Sequence, residues 1–427
     1  MVGGGIAGVS AALEARRLAP RKSIGVISDE EIRYARPSLT AVVSGAVTSI
    51  DQIAIFGPLI LETSRIDSLT GYRVSEIDHA NRVVYATRTA SGRDTKGVKF
   101  CFERVIIATG ATPYTPKVEG SNLRSVFSIR KFEEALQFSK FMSRGMKGHV
   151  VGAGFVGLDT AQVLARRGLE VTLVVRSRIL RAILDEDLSE ILTKRAAVKK
   201  VKIIKGTCLD GIRGKRKVER VVLGDREVQS DFVVFASGVT ANSSVAAQTG
   251  CRLSDDCAIR TDRQMRTNLA EVYAAGDCCQ TLDFITGRSV YRPIGSIAVD
   301  TAKIAGANAV GSPAEYEGTI RRQYNKIFGT EVLSMGLSIE EARSLDINAR
   351  SFEVKIKKPQ FMPSLQFIEK NRMKIIVDLE TDRVIGWQAL GMRYTSFLSV
   401  FMYDCIFCGK KLGEIQDSGL NIEVIFE

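Results

Sequence analysis

Histidine is nearly absent from this chain. Two occur in 427 residues, His79 in the turn-like IDHANRVV and His149 at the start of an apolar strand, which argues against a chemistry built on imidazole. No apolar run approaches the length that crosses a bilayer. Glycines arrive at once where a secretory leader would carry basic and apolar residues. There is no disulfide framework either: eight cysteines are scattered along the chain, so a reducing, cytoplasmic setting is the expectation. The densest basic stretch, Lys194 to Arg220, lacks interleaved aromatics and reads as a solvated face rather than a nucleic-acid surface. What the chain does have is length for about three domains and a net charge of +12. A surface of that sign favours anionic cofactors or an acidic protein partner.

The first twenty residues, MVGGGIAGVSAALEARRLAP, place Gly3, Gly5 and Gly8 in the spacing G-x-G-x-x-G. Such a turn lets a helix N-terminus approach a pyrophosphate. A helix with Val9, Ala12 and Leu13 on its apolar face follows, ends by Pro20, and gives way to a strand over 23–27. An acid about 20 residues past the last glycine would hold ribose hydroxyls; Asp29 is the first candidate and Glu30 the second. A strand should precede the glycines, and only Met1 and Val2 do. A start assigned a few codons late is the expectation, with weakened cofactor binding as its alternative.

The second glycine loop has its strand. HVVGAGFVGLDTAQVLARRGLEVTLVVRS gives a strand to Val151, glycines at 152, 154 and 157, a helix to Arg167 and a strand Val171–Val175. Arg176, with Arg178 and Arg181 nearby, stands where an acid would hold a plain ribose. Arginine there pairs a 2′-phosphate through charged hydrogen bonds, which points to NADPH, with NADH as the alternative. Two further apolar strands end in polar tips, FERVIIATGATP at Thr109 and Gly110, and AEVYAAGDCCQ at Gly276 and Asp277. The following RPIGSIAVDTAKIAGANAVG predicts a helix whose N-terminus would stabilise a negatively charged ring.

With those five motifs in order (GGGIAG, ATG, GAGFVG, DFVVFASG, YAAGDC), the chain resembles the FAD-dependent pyridine nucleotide-disulfide oxidoreductases. The nearest likeness is the branch of CoA-disulfide reductases, NADH oxidases and rubredoxin or ferredoxin reductases. The resemblance implies an α/β fold with two Rossmann-like domains, for FAD and NAD(P), and a C-terminal α+β dimerisation domain. Its implied boundaries are 1–113 and 239–318 for the FAD domain, 114–238 for the NAD(P) domain and 319–427 for the dimerisation domain. It also carries Val74, Phe155, Val156 and Gly238 over as cofactor-binding positions, and implies a homodimer.

The departures are as informative. Disulfide-reducing relatives place a cysteine at the start of the second helix; in IRYARPSLTAVVSG that place is held by Pro37. No mixed disulfide can form there. The same stretch resembles the Y-x-R-P-x-L segment of rubredoxin and ferredoxin reductases, which implies that Arg36 and Pro37 line FAD. Those reductases carry a lysine where this chain has Ala41. Asp159, the acid that would pair with it, is the candidate catalytic residue beside the nicotinamide. The tyrosine that reaches the partner subunit in disulfide reducers is replaced by Ile422. Cys405 and Cys408 form C-x-x-C, expected on one face of a helix as buried packing. Electrons are therefore expected to pass from NADPH through FAD to a small acidic electron-transfer protein or to dioxygen. A non-catalytic flavin-binding dimer is the alternative, and no metal or membrane is called for.

Overall fold

The computed structural model describes residues 1–31, 33–56, 59–89, 97–356, 371–391, 395–417 and 422–425. The chain forms two compact units. The first comprises Met1–Leu39, Ala46–Tyr114 and Val239–Thr319; the second comprises Thr40–Gly45, Thr115–Gly238 and Ile320–Glu427.

In the first unit a parallel sheet runs Asp67–Thr70, Gly25–Ser28, the bridge residue Val2, Val105–Ile107, Val272–Ala274. Val2 takes the central place on its own. Its N–H donates to Ile106 O and its carbonyl accepts from Ala108 N, while Gly3 N donates to Ile27 O and Met1 O accepts from Ile27 N. The flanking strands are therefore paired through a two-residue segment, and its last residue delivers the chain into the glycine loop. Two helices pack beside the sheet, Ile6–Leu18 and Gly295–Ala309. They approach so closely that a Cβ on Gly306 would overlap the Ala11 carbonyl, which explains the run of alanines on both.

The second unit holds two sheets. One is parallel, in the order Val201–Lys205, Glu170–Val175, Lys147–Val151, Phe232–Phe235, Val126–Ser128. Its inner strand FVVF is buried at every residue, as a sheet covered on both faces requires. The other is antiparallel, in the order Arg322–Ile327, Thr330–Gly336, Val384–Gly391, Arg372–Asp378, Ala349–Ile356, Ile422–Ile425. The helix Thr395–Phe407 packs on it. The basic stretch lies over Val201–Lys205 and a three-stranded sheet, and several of its cations pair with acids: Lys205 with Glu190, Arg213 with Glu119, Arg220 with Glu227. That is a solvated, ion-paired face. Among the described residues no helix is long and apolar enough to cross a membrane, and no three acids, cysteines or histidines converge as a metal site would need.

His149 is buried in the parallel sheet of the second unit, with Nδ1 2.9 Å from Ser230 Oγ. Ser230 gives its own proton to Phe232 O at 2.8 Å, so Nδ1 must be the donor. Burial, with the Lys202 charge adding to it, lowers its pKa from 6.5 to about 4. The unfolded chain then binds a proton that the folded chain refuses between those two values. Stability from this group is complete above pH 6.5 and declines as pH falls toward 4, by about 3 kcal/mol in all. His149→Gln should flatten the fall in urea midpoint between pH 6.5 and 4. An unchanged slope would assign the acid sensitivity elsewhere.

Candidate cofactor sites

The two glycine loops have the same backbone solution. Gly3 and Gly152 sit at φ +110° and +111°, open to glycine and strained for other residues. In each loop a Cβ on the third glycine, Gly8 or Gly157, would overlap the carbonyl oxygen of the first. Those glycines let the helix pack against the strand that feeds it. The middle glycines differ in kind. Gly5 and Gly154 are extended, at φ −71° and −76°, and a Cβ on either meets nothing within 4 Å. Their open side leaves the loop backbone accessible.

Two helices start at these loops, Ile6–Leu18 and Phe155–Arg166, and like the helix Gly295–Ala309 they have no side-chain cap and no acid in the first turn. Elsewhere the chain does cap: Ser338 Oγ accepts from Glu341 N at 3.2 Å. Uncapped first-turn amides beside an open glycine are a cradle for phosphate oxygens. The residues present fit both dinucleotides.

In the first unit, Arg33 fixes the loop by donating to Gly4 O at 3.0 Å and to Ser68 Oγ at 3.0 Å. Asp29, just past the strand Gly25–Ser28, pairs with Arg73 at 2.9 Å. Glu30 pairs with Arg36 at 3.0 Å, and the Tyr34 hydroxyl lies 3.4 Å from Glu30 Oε1. Burial opposes the charge on Arg36, but Glu30 outweighs it and holds the guanidinium above its ordinary value. Pro37 lies in the short 3-10 helix Arg36–Ser38, and the first cysteine in the chain is Cys101. Val74 is half-buried at a bulge in the strand Tyr72–Asp78.

The tip of Val105–Ile107 is locked from a distance. Thr109 Oγ1 donates to Asn242 O at 2.5 Å, Asn242 Nδ2 returns a bond to Thr109 O at 3.0 Å, and Asn242 N donates to Gly110 O at 2.9 Å. Gly276, at φ +80°, leaves no room for a Cβ against Ala7, and its N–H donates to Thr301 Oγ1 at 3.1 Å. Asp277 follows, with its carbonyl accepting from the Tyr291 hydroxyl at 3.0 Å. Strand tips and the helix Gly295–Ala309 are thereby tied into one frame.

In the second unit the half-buried Asp159 lies on the helix Phe155–Arg166, between the half-buried Phe155 and the buried Gln162. Gln162 Nε2 donates to Asp159 Oδ1 at 2.6 Å and to Lys326 O at 3.1 Å, while its Oε1 accepts from Phe328 N at 2.9 Å. Val156 is exposed at the first turn, and Gly238 stands at φ +103° beyond the strand Phe232–Phe235. Arg176 is exposed at the tip of Glu170–Val175 and forms no ion pair among the described residues. Arg181, expected beside it as a phosphate ligand, is paired with Glu340, as is Arg178.

Of the C-x-x-C pair, Cys405 is buried, while Cys408 closes the last turn of the helix Thr395–Phe407, its N–H donating to Asp404 O at 2.8 Å, and is exposed. Burial pushes the Cys405 thiol up to about 11, which makes it a poor nucleophile at neutral pH. Sequence reasoning missed Asn242, Gln162 and Arg33. Each acts through contacts that no local motif announces.

Two glycine cradles, each on a parallel sheet with a half-exposed polar tip, define a two-dinucleotide oxidoreductase. The pyridine nucleotide-disulphide oxidoreductase family model matches residues 1–299, and the chain belongs to that family. It is 32% identical over 397 residues to an NADH oxidase of Methanocaldococcus jannaschii, covering 92% of this chain and 87% of that protein. It is 31% identical to an NAD(P)H coenzyme A polysulfide/persulfide reductase of Pyrococcus horikoshii, covering 92% and 86%. The solved NAD-dependent persulfide reductase of A. fulgidus is 27% identical with a TM-score of 0.89, over 97% of this chain and 77% of that one. The chain is an NAD(P)H-dependent flavoprotein oxidoreductase.

Proposed function

We propose that this enzyme takes hydride from NADPH onto FAD and passes the electrons to a second acceptor with no redox cysteine at the flavin. Bound FAD supplies the hydride-accepting and electron-donating chemistry; the chain supplies place and field. The amides at the start of Ile6–Leu18 and Phe155–Arg166 hold the two pyrophosphates, and Asp29 or Glu30 takes the adenosine ribose of FAD. Thr109, Gly110 and Asp277 hold the flavin end, and the dipole of Gly295–Ala309 favours negative charge there. Arg176 meets the 2′-phosphate, and Asp159, oriented by Gln162, lies along the nicotinamide path.

The observation that carries this reading is Pro37. A thiolate is what disulfide and persulfide exchange needs, and no cysteine precedes Cys101. The reaction thus ends at the flavin, which suits an electron carrier or dioxygen. The charge of +12 favours a small acidic electron-transfer protein, whose approach that field would steer. Val400 and Phe407, 63% and 45% exposed on the helix Thr395–Phe407, support a dimer that covers them.

The test is to reduce the flavin-loaded protein anaerobically with NADPH, follow bleaching, and then admit air or an oxidised ferredoxin or rubredoxin separately. Reoxidation by the carrier should outrun reoxidation by air and should slow with added salt, because ions screen the steering field. Faster reoxidation by air makes it an oxidase. Efficient oxidation by CoA disulfide would overturn the argument from Pro37. Failure of either nicotinamide nucleotide to bleach the flavin would leave the non-catalytic dimer.

A further inference from the structure

The segment that follows the strand Glu170–Val175 is held by the C-terminal part of the second unit. Arg321 Nη1 donates to Ala182 O at 2.7 Å, and Ser334 Oγ donates to Ile183 O at 2.6 Å. Asp185 is buried and exchanges two bonds with the buried Gln388, Asp185 N to Oε1 at 2.8 Å and Nε2 to Asp185 Oδ1 at 3.0 Å. Ile339 N donates to the same Asp185 oxygen at 3.2 Å. That last bond sets the start of the short helix Ile339–Ser344 against the arginine segment.

Glu340 follows, and its carboxylate takes both neighbouring arginines. Oε2 lies 2.5 Å from Arg178 Nη2, and Oε1 lies 2.9 Å from Arg181 Nε and 2.8 Å from Arg181 Nη2. Arg178 also donates to Leu184 O and is only 15% exposed, so it is a staple of the segment. Arg181 is 62% exposed, and the edge engaged by Glu340 is the Nε/Nη2 edge through which a guanidinium binds a phosphate in bidentate fashion.

We propose that Glu340 is a specificity-determining residue that weakens acceptance of a 2′-phosphate by occupying the arginine edge such a phosphate would use. The proposal rests on the reading of this segment as the ribose end of the nicotinamide nucleotide site. With Glu340 in place, Arg176 meets the phosphate alone, and a second negative charge stands behind Arg181. An exposed ion pair is worth little on its own, so a doubly charged phosphate can displace it at a modest penalty. NADPH is therefore accepted, with less discrimination against NADH than three free arginines would give. The segment keeps its shape without Glu340, because Asp185, Arg321 and Ser334 hold it independently.

The test is calorimetric titration of the flavin-loaded protein with adenosine 2′,5′-bisphosphate and, as reference, adenosine 5′-monophosphate. Glu340→Gln and Glu340→Ala should each raise the ratio of the two affinities about tenfold, equivalent to about 1.4 kcal/mol, through tighter bisphosphate binding. The KM for NADPH should fall in step, with that for NADH unmoved. An unchanged or lower ratio in both variants overturns the proposal. Arg176→Glu distinguishes the two levels of the argument: if wild type prefers the bisphosphate and Arg176→Glu abolishes that preference, the arginine site stands whatever Glu340 does. If neither wild type nor any variant tells the two nucleotides apart, the arginine site and the proposal fall together.

Discussion

Gly157→Ala should abolish nicotinamide nucleotide binding and leave the flavin in place. The added Cβ would overlap the Gly152 carbonyl oxygen, and neither atom can yield, since both belong to backbone packed at the strand–helix junction. The helix Phe155–Arg166 must move away from Lys147–Val151, carrying its first-turn amides with it. Overpacking of this kind costs about 1–3 kcal/mol of stability. The binding loss is larger: two or three amide bonds to a charged group contribute about 1.5–3 kcal/mol each, so a hundredfold weaker affinity is a lower bound. Wild-type flavin content would show that the first loop is untouched.

The companion substitution separates packing from ligand space. At Gly154 the backbone is already in a region any residue adopts, and a Cβ meets no atom within 4 Å. Gly154→Ala should leave the melting temperature level or raise it slightly, by the equivalent of about 0.4–1 kcal/mol, while NADPH binding still falls. The same pair of outcomes holds for Gly8→Ala and Gly5→Ala, read through flavin content. A Gly154→Ala protein that binds NADPH as wild type does would mean that the open side of the loop faces something other than cofactor.

The parts of the sites legible in the sequence are those that depend on residues close together in the chain. Gly152, Gly154 and Gly157 lie close together in the chain, and the apolar runs VII (Val105–Ile107) and FVVF (Phe232–Phe235) read as buried strands, so position and chemistry were readable together. The locks on those parts were not. Thr109 is held by Asn242, 133 residues away, and Arg181 by Glu340, 159 residues away; periodicity carries no information about such pairs. The burial of the C-x-x-C pair was illegible for a different reason: Cys408 lies in the last turn, one residue before Gly409 at φ +62° where the chain leaves the helix, and is exposed while Cys405 is buried.

Arg292→Met should be the most destabilising single change in the first unit. Arg292 and Asp283 form an ion pair whose side chains are 9% and 1% exposed. The other oxygen of Asp283 accepts from Thr286 N and Thr286 Oγ1, both at 2.8 Å. The pair closes the hairpin Thr281–Leu282 with Ser289–Val290 and sits between Asp277 and the start of Gly295–Ala309. Removing the guanidinium strands a carboxylate in a site from which water is excluded, at a cost of about 3–5 kcal/mol. At roughly 2–4 °C per kcal/mol, the melting temperature should drop by about 6–20 °C. Flavin content should drop with it, since in the chain the hairpin joins Asp277 to the helix Gly295–Ala309, two of the elements proposed to hold the flavin. The double variant Asp283→Asn/Arg292→Met decides the mechanism. If the penalty lies in the stranded charge, the double variant recovers a large part of the loss, because a neutral amide keeps the Thr286 bonds without a buried charge. If it is no more stable than Arg292→Met, the arginine acts through packing of its stem, and the charge pair is incidental to the cradle.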